Sequence, residues 1–457
     1  MDIVLRGTVH ADGEVIEDGW IAVENGKIAA VGRGEAPAAA ILRDFGRSLI
    51  LPGIIDGQTH ATSYKGLPGL DDTSASALAG GVTTIVDMPY DEPLPLDRPE
   101  RLAAKIDAIR AHSRCDVALY GTATVETGTA EIASLIEGGV AAFKISSFES
   151  SPTRFPRIGA DLTLDLLETL APTGLPLGLH NEDQEIVRSR VARMRVAGRD
   201  DIAAHSESRP LAAELAATAQ FLALGHATGA HAHIVHISHG EGFAEVGAFA
   251  AIGAPVTGEL CVHYLCFDAD ADGPELGARM KVNPPIRAGA IPGLWAAIRA
   301  GQVAFVSSDH ASWPIDNKLG RSIFDAGAGV PGLETLLPAF VTAADAQGLD
   351  GARFAADLLA EKPARFFGID DRKGSIAPGK DADFVIVERG DFVWSAAAAH
   401  DGLNWSPFEG RTFTARVAGT WLRGREVWDG RSVLSAPGDG IFLPRRTRGW
   451  FPDSREG

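Results

Sequence analysis

Eight short, almost continuously apolar runs divide the middle of the chain at regular intervals. They are Gly53–Gln58, Thr83–Met88, Val117–Thr124, Ala141–Ser146, Pro176–Glu182, His233–Ser238, Pro255–Cys261 and Val303–Asp309. Strands that are apolar without alternation must be buried on both faces, which is the condition of parallel strands covered by helices. Ala- and Leu-rich stretches of helical spacing, such as Arg98–Ala111 and Pro210–Leu224, lie between most of them. Eight strands alternating with helices predict a (β/α)₈ barrel. Pro331–Ala344 and Gly351–Phe367 read as further helices outside it.

The two ends of the chain have a different texture. Ile21–Val23 and Lys27–Val31 flank an Asn25-Gly26 pair, a strong hairpin signal. Ala382–Glu388 is an apolar strand, and Thr414–Trp428 holds a second hairpin with Arg423-Gly424 at its turn. Both ends are therefore expected to share one small β-sandwich domain. The expected organisation is a first part of that domain over 1–50, the barrel over 51–372, its second part over 373–435, and an extended Gly/Pro/Arg-rich arm over 436–457.

Composition removes some functional classes. A net charge of −18 over 457 residues argues against nucleic acid or an anionic membrane as the main partner. No apolar stretch approaches the roughly 20 residues of a membrane helix. The start of the chain lacks the pattern of a secretory signal. Three cysteines, Cys115, Cys261 and Cys266, give no disulfide framework. A soluble cytoplasmic protein is the expectation.

Polar residues gather where the chemistry of a barrel is found. Gln58 and His60 end the first strand, Lys144 lies on the fourth, His180 ends the fifth, His236 the sixth and Asp309 the eighth. The carboxyl ends of barrel strands line one mouth. Taken singly, a histidine near a strand end is more often a hydrogen-bonded structural residue, Asp309 could cap a helix, and Lys144 could be a paired or snorkelling lysine. Taken together, the set is hard to attribute to chance, which would scatter these residues along the strands. Lys144 is the odd one, since it stands between Phe143 and Ile145 in an apolar strand. Burial lowers a lysine pKa and frees the amine. A free amine can take up carbon dioxide, and the resulting carbamate is an anionic ligand able to bridge two metals.

These residues sit in stretches that resemble the cyclic amidohydrolases: hydantoinases and dihydropyrimidinases, allantoinases and dihydroorotases. The stretches are Leu51-Pro-Gly-Ile-Ile-Asp-Gly-Gln-Thr-His60, Gly80-Gly-Val-Thr-Thr-Ile-Val-Asp-Met-Pro89, Ala142-Phe-Lys-Ile145, His180-Asn-Glu182, Ser208-Arg-Pro-Leu-Ala-Ala-Glu214 and His233-Ile-Val-His-Ile-Ser238. Val282-Asn-Pro-Pro-Ile-Arg287, Ser308-Asp-His310, Pro331-Gly-Leu-Glu-Thr335 and Lys373-Gly-Ser-Ile-Ala-Pro-Gly-Lys-Asp-Ala-Asp383 complete the series. The resemblance implies a site for two divalent ions, zinc by preference, bridged by carboxylated Lys144. It gives His60, Asp309 and the residue at position 58 to the buried ion, and His180 and His236 to the exposed one. It makes Asp309 the proton shuttle and places Asn283, Ala328 and Gly329 against the ring of a small cyclic amide, imide or ureide, largely through backbone groups. It also implies a homodimer or homotetramer.

The departures bear on metal and substrate. Gln58 stands where the family carries a histidine ligand, and an amide oxygen is a weak zinc donor. The His60/Asp309 site is therefore expected to be weak or empty, or else Gln58 orients water or substrate. Thr62 replaces the arginine that binds the orotate carboxylate in dihydroorotases, and Glu149 replaces the tyrosine that serves the oxyanion in hydantoinases. Tyr64, Tyr90 and Trp313 would shape the pocket toward a bulkier or aromatic ring, or else serve packing. The rival to an enzyme is a non-catalytic barrel kept as a scaffold or assembly partner. Gln58 favours that rival; retention of Lys144, His180, His236 and Asp309 opposes it.

Overall fold

A computed structural model describes residues 1–11, 13–448, 450 and 451. Four strands open the chain: β1 (Ile3–Ala11), β2 (Glu14–Glu24), β3 (Lys27–Arg33) and β4 (Ile41–Pro52). The barrel follows with β5 (Ile54–His60), β6 (Val82–Asp87), β7 (Asp116–Gly121), β8 (Ala142–Ser146), β9 (Leu177–His180), β10 (Ala232–Ile234), β11 (Val256–Gly258), β12 (Leu260–Cys261), β13 (Val306–Ser307) and β14 (His310–Ala311). The chain then returns to the first sheet through β15 (Phe384–Val393), β16 (Thr412–Leu422) and β17 (Arg425–Trp428).

The barrel is parallel and closed. One sheet runs β11-β10-β9-β8-β7-β6-β5-β14, and β12 pairs with β13 to join the seventh and eighth turns of the wall. Every residue of β6, β7 and β8 is buried, including the polar Thr83, Thr84, Asp87, Asp116, Lys144 and Ser146, as strands covered on both faces require. The expected sixth strand, His233–Ser238, stops at Ile234. His236 has a positive φ of 43° and gives its N–H to the Glu259 carboxylate at 2.7 Å instead of to a neighbouring strand. The eighth is likewise broken at Asp309, with φ 48°. The helix expected from Pro331 begins at Leu336, because Val330 still accepts the Ala311 N–H at 3.0 Å. Phe305, Phe366, Phe367 and Tyr120 pack the barrel floor.

The sheet domain is hydrogen-bonded as one seven-stranded sheet, order β17-β16-β15-β4-β1-β2-β3, with register breaks at Gly7/Val9 and Arg389/Phe392. Residues from both ends of the chain share its core, including Leu5, Ile21, Phe384 and Trp421. Both hairpin turns have positive φ at their central residues, 52° and 73° at Asn25-Gly26 and 48° and 74° at Arg423-Gly424. That is the type I′ geometry whose twist matches the strands. The two turns touch: a Cβ on Gly26 would lie 3.0 Å from the Arg423 carbonyl. The last described residues run extended under the barrel, where Val117 donates to Ile441 at 2.9 Å and Leu443 donates to Val117 at 2.8 Å.

A buried charge cluster joins sheet domain to barrel. Lys373 Nζ lies 2.6 Å from Asp116, 2.6 Å from Asp383 and 3.0 Å from Asp381. Arg423 pairs with Asp116, and Lys27 and Arg372 pair with Asp381. The three carboxylates come close enough to hold a cation, and the Lys373 ammonium is that cation. Removing one member of such a cluster strands the others without solvation. Lys373→Met should lower the unfolding free energy by about 3–5 kcal/mol, read by chemical denaturation. A loss below about 1 kcal/mol, the range of exposed pairs, would show that the cluster is not what fastens the two parts.

Candidate metal centre

The mouth of the barrel opens into a cavity of about 620 Å³. Gln58, His60, Lys144, His180, His236 and Asp309 all line it, so the structure brings together every ligand position read from the sequence. Asn283, Ala328, Gly329, Tyr64 and Tyr90 line it as well.

His180 and His236 face each other, Nδ1 to Nε2, at 2.9 Å. Burial holds both imidazoles below their ordinary pKa, so both are neutral and each has a lone pair to give. The far side of His180 is fixed by Glu182, 2.9 Å from Nε2, and Glu182 is paired in turn with Arg209. Burial would raise the Glu182 carboxyl, but Arg209 and His180 hold it down to about 2. A carboxylate behind a ligating histidine fixes its tautomer and raises its basicity.

The second pair is His60 and Asp309. His60 Nε2 lies 3.4 Å from Asp309 Oδ1, while its Nδ1 is held by Ser63 Oγ at 2.9 Å. Burial pushes the Asp309 carboxyl up, but its interaction with His60 outweighs that and holds it below its ordinary value. Gln58 joins this pair unexpectedly. Its Nε2 donates to Asp309 Oδ1 at 3.0 Å, and its Oε1 is buried without a partner. The amide therefore orients the acid and keeps one oxygen in reserve.

Lys144 is 1 % exposed on β8 and makes no ion pair among the described residues. Burial lowers its pKa against the opposing influence of Asp309 and Glu259. Its Nζ lies 6.0 Å from the centre of the Tyr90 ring. Two neutral imidazoles aimed at one point, a carboxylate beside a third imidazole, a spare amide oxygen and a poorly solvated amine form a donor set of nitrogen and oxygen. That set fits a pair of divalent ions of the zinc type.

The remaining walls are aromatic. Tyr64 packs on Trp313 with ring centres 4.0 Å apart, and Tyr90 on Phe155 at 3.7 Å. Phe155 also meets His180 edge-on at 5.8 Å. Asn283 Oδ1 is buried with no protein partner. Ala328 and Gly329 are less free than expected. The Ala328 carbonyl accepts from Trp313 Nε1 at 2.7 Å, and Gly329 spends its N–H on the Lys281 carbonyl at 3.0 Å. Thr62 is sunk in a cluster with Asp87, Asp91 and Lys105. Glu149 pairs with Arg188 at 3.0 Å, both on the cavity wall.

Sequence reasoning passed over Glu182, Arg209 and Phe155 as site residues. Glu182 and Arg209 stand in the His180-Asn-Glu182 and Ser208-Arg-Pro stretches, where an acid two residues after a strand-end histidine was the available signal. Phe155 has none, because only the folded loop after β8 brings it to His180. His263 is buried with both ring nitrogens unpartnered, and burial lowers its pKa to about 4.

A parallel barrel with nitrogen and oxygen donors converging at the carboxyl ends of its strands defines a metal-dependent hydrolase class. Residues 189–427 match the model of the Amidohydrolase family. The chain is 36% identical to an allantoinase of Rubrobacter xylanophilus over 98% of this chain and 99% of that one. It is 29% identical to an L-hydantoinase of Paenarthrobacter aurescens, over 97% and 99% of the two chains. The solved L-hydantoinase (dihydropyrimidinase) of Arthrobacter aurescens superposes with a TM-score of 0.92 at 28% identity, covering 97% of this chain and all of the other. The chain belongs to the amidohydrolase family.

Gln58 decides how evenly metal should load. Imidazole outranks an amide oxygen as a zinc donor, so Gln58→His should tighten binding at the His60/Asp309 site by severalfold or more. Zinc titration under a competing chelator, native protein against variant, reads the difference. Full and equal occupancy of two sites in the native protein would show that the amide is no handicap.

Proposed function

We propose that this chain hydrolyses a ring C–N bond of a cyclic amide, imide or ureide, with hydantoin-like and allantoin-like rings as the substrate class. The observation that carries the reading is the convergence of the His180–His236 pair, the His60–Asp309 pair and buried Lys144 on one cavity. The likeness to proteins named allantoinase and L-hydantoinase over nearly their whole length supports it. A barrel kept only as a scaffold has no reason to hold His236 and Asp309 at positive φ, a strain on the order of 1–3 kcal/mol each.

His180 and His236 would hold one divalent ion, zinc by preference. His60, Asp309 and the spare oxygen of Gln58 would hold the other, more weakly, with Lys144 as its carbamate shared between them. Ions so bound lower the pKa of water and polarise a carbonyl.

The chain's own residues supply the rest. Ionised Asp309 accepts a proton from the attacking water and returns it to the leaving ring nitrogen. The amide C–N bond breaks, and water adds across it to give a carboxylic acid and a free urea, amide or amine nitrogen. Asn283 Oδ1, buried and unpartnered, accepts a ring N–H. The Tyr64–Trp313 and Tyr90–Phe155 walls enclose the ring or its substituent and keep bulk water from the reacting carbonyl. Thr62, committed to the Asp87–Asp91 cluster, supplies no cation of its own for the carboxylate of a dihydroorotate. A closed-point oligomer, dimer or tetramer, is proposed on family likeness.

Lys144→Ala should lose metal and activity together, with partial recovery on adding short carboxylic acids that replace the carbamate. Full metal content in that variant, or an unmodified amine at Lys144 in metal-loaded crystals, would refute the carbamate. Asp309→Asn should fold and retain the ion on His180 and His236 yet lose most turnover, because an amide cannot accept the proton. Retention of more than about a tenth of the wild-type rate would assign the proton transfer elsewhere.

A further inference from the structure

One wall of the cavity is a loop, 312–332, that contributes Trp313, Phe324, Ala326, Ala328 and Gly329. Two buried lysines grip it, and neither has a carboxylate partner among the described residues. Lys318 Nζ donates to three peptide carbonyls: Lys281 at 2.9 Å, Gly327 at 2.8 Å and Gly329 at 2.8 Å. Lys281 Nζ donates to the carbonyls of Ile323, at 2.6 Å, and Ala326. The Lys281 carbonyl accepts from both Lys318 Nζ and the Gly329 N–H. A single peptide group thus links the Gly329 wall to the segment that carries Asn283 two residues later.

We propose that Lys318 and Lys281 are positioning residues that set the distance between Asn283 and the Ala328–Gly329 wall, and so determine how the substrate ring is gripped. The inference rests on reading the cavity as the ring-binding site. An ammonium has three N–H donors and no acceptor, and Lys318 spends all three on carbonyls that would otherwise face each other with like dipoles. Burying a charge without a counter-charge is costly, and burial lowers the pKa of both amines. A loop that needed only to be closed could be closed by neutral donors. Trp405 completes the housing, its ring 5.6 Å from Lys318 Nζ and its own N–H given to the Trp313 carbonyl at 2.8 Å. Neither lysine touches a metal-ligand position, so the clamp acts on substrate fit and leaves the metal alone.

The test compares zinc-loaded, full-length wild type with Lys318→Met, which keeps the stem and removes the donors. Amide hydrogen exchange over 313–329 should quicken by about tenfold or more while the barrel strands keep their protection. Metal content should not change. KM for the ring that the wild type opens should rise by about tenfold, with kcat within about threefold. Lys281→Met, which frees the Ile323 and Ala326 carbonyls but leaves the three bonds of Lys318 in place, should show the same exchange pattern more weakly and serves if Lys318→Met fails to fold. Unchanged exchange across 313–329 overturns the clamp, and so does a joint loss of metal and kcat at constant KM. If the wild type opens no ring, the functional reading falls by itself and the exchange result alone decides the clamp.

Discussion

The site depends on one buried carboxylate that takes no part in its chemistry. Asp56, on the first barrel strand, accepts the Ser308 N–H at 2.7 Å and the Ser308 hydroxyl at 2.6 Å, with Thr59 Oγ1 at 2.5 Å. These bonds tie the first strand to the last, and β14 completes the closure by pairing with β5. Asp309 follows Ser308 directly, so the same bonds place its carboxylate against His60 and Gln58. Burial raises the Asp56 pKa to about 6, its bonds to Ser308 and Thr59 opposing that rise. Glu259 does the corresponding work on the other side, holding the His236 N–H and, at 2.7 Å, the Ser307 hydroxyl. Two buried acids therefore fix the two strained turns that present His236 and Asp309 to the cavity.

This division of labour explains how much could be read from the sequence. The barrel was legible because burial on both faces leaves no polar alternation in β6, β7 or β8, a pattern that few other arrangements require. The two hairpins were legible because Asn25-Gly26 and Arg423-Gly424 are turn residues with a mechanism. The ends of the sixth and eighth strands were not. Their limits are set by where Glu259 and Asp56 reach across space, which no local pattern records. The residues gathered at the mouth came through because they stand at strand ends, whereas Phe155 reaches the cavity from a loop. The extra duty of Gln58, donating to Asp309, was likewise invisible until the two strands were brought side by side.

The departures from the family pattern fall on both sides of the cavity, Gln58 beside Asp309 and Glu149 beside Gln184 and Arg188. The His180–His236 pair keeps its full support from Glu182 and Arg209, while the His60–Asp309 pair has an amide in place of an imidazole. Tyr64 and Tyr90 stand near His60, while Phe155 carries the aromatic wall across to His180. A chain that had abandoned catalysis would have no need to retain the supporting carboxylates, since a buried acid is costly unless something depends on it. The supported His180–His236 pair and the family membership fit a hydrolase acting on cyclic amide C–N bonds.

The most direct test of that account is ring opening measured on protein of known metal content. Hydantoins, dihydropyrimidines, allantoin and cyclic imides can be followed by their ultraviolet absorbance, before chelation, after it, and after zinc is restored. The account predicts that at least one ring is opened, that chelation abolishes the reaction, and that zinc brings it back. Protein with its metal sites filled that opens none of these rings, or ring opening that survives complete removal of metal, would contradict it.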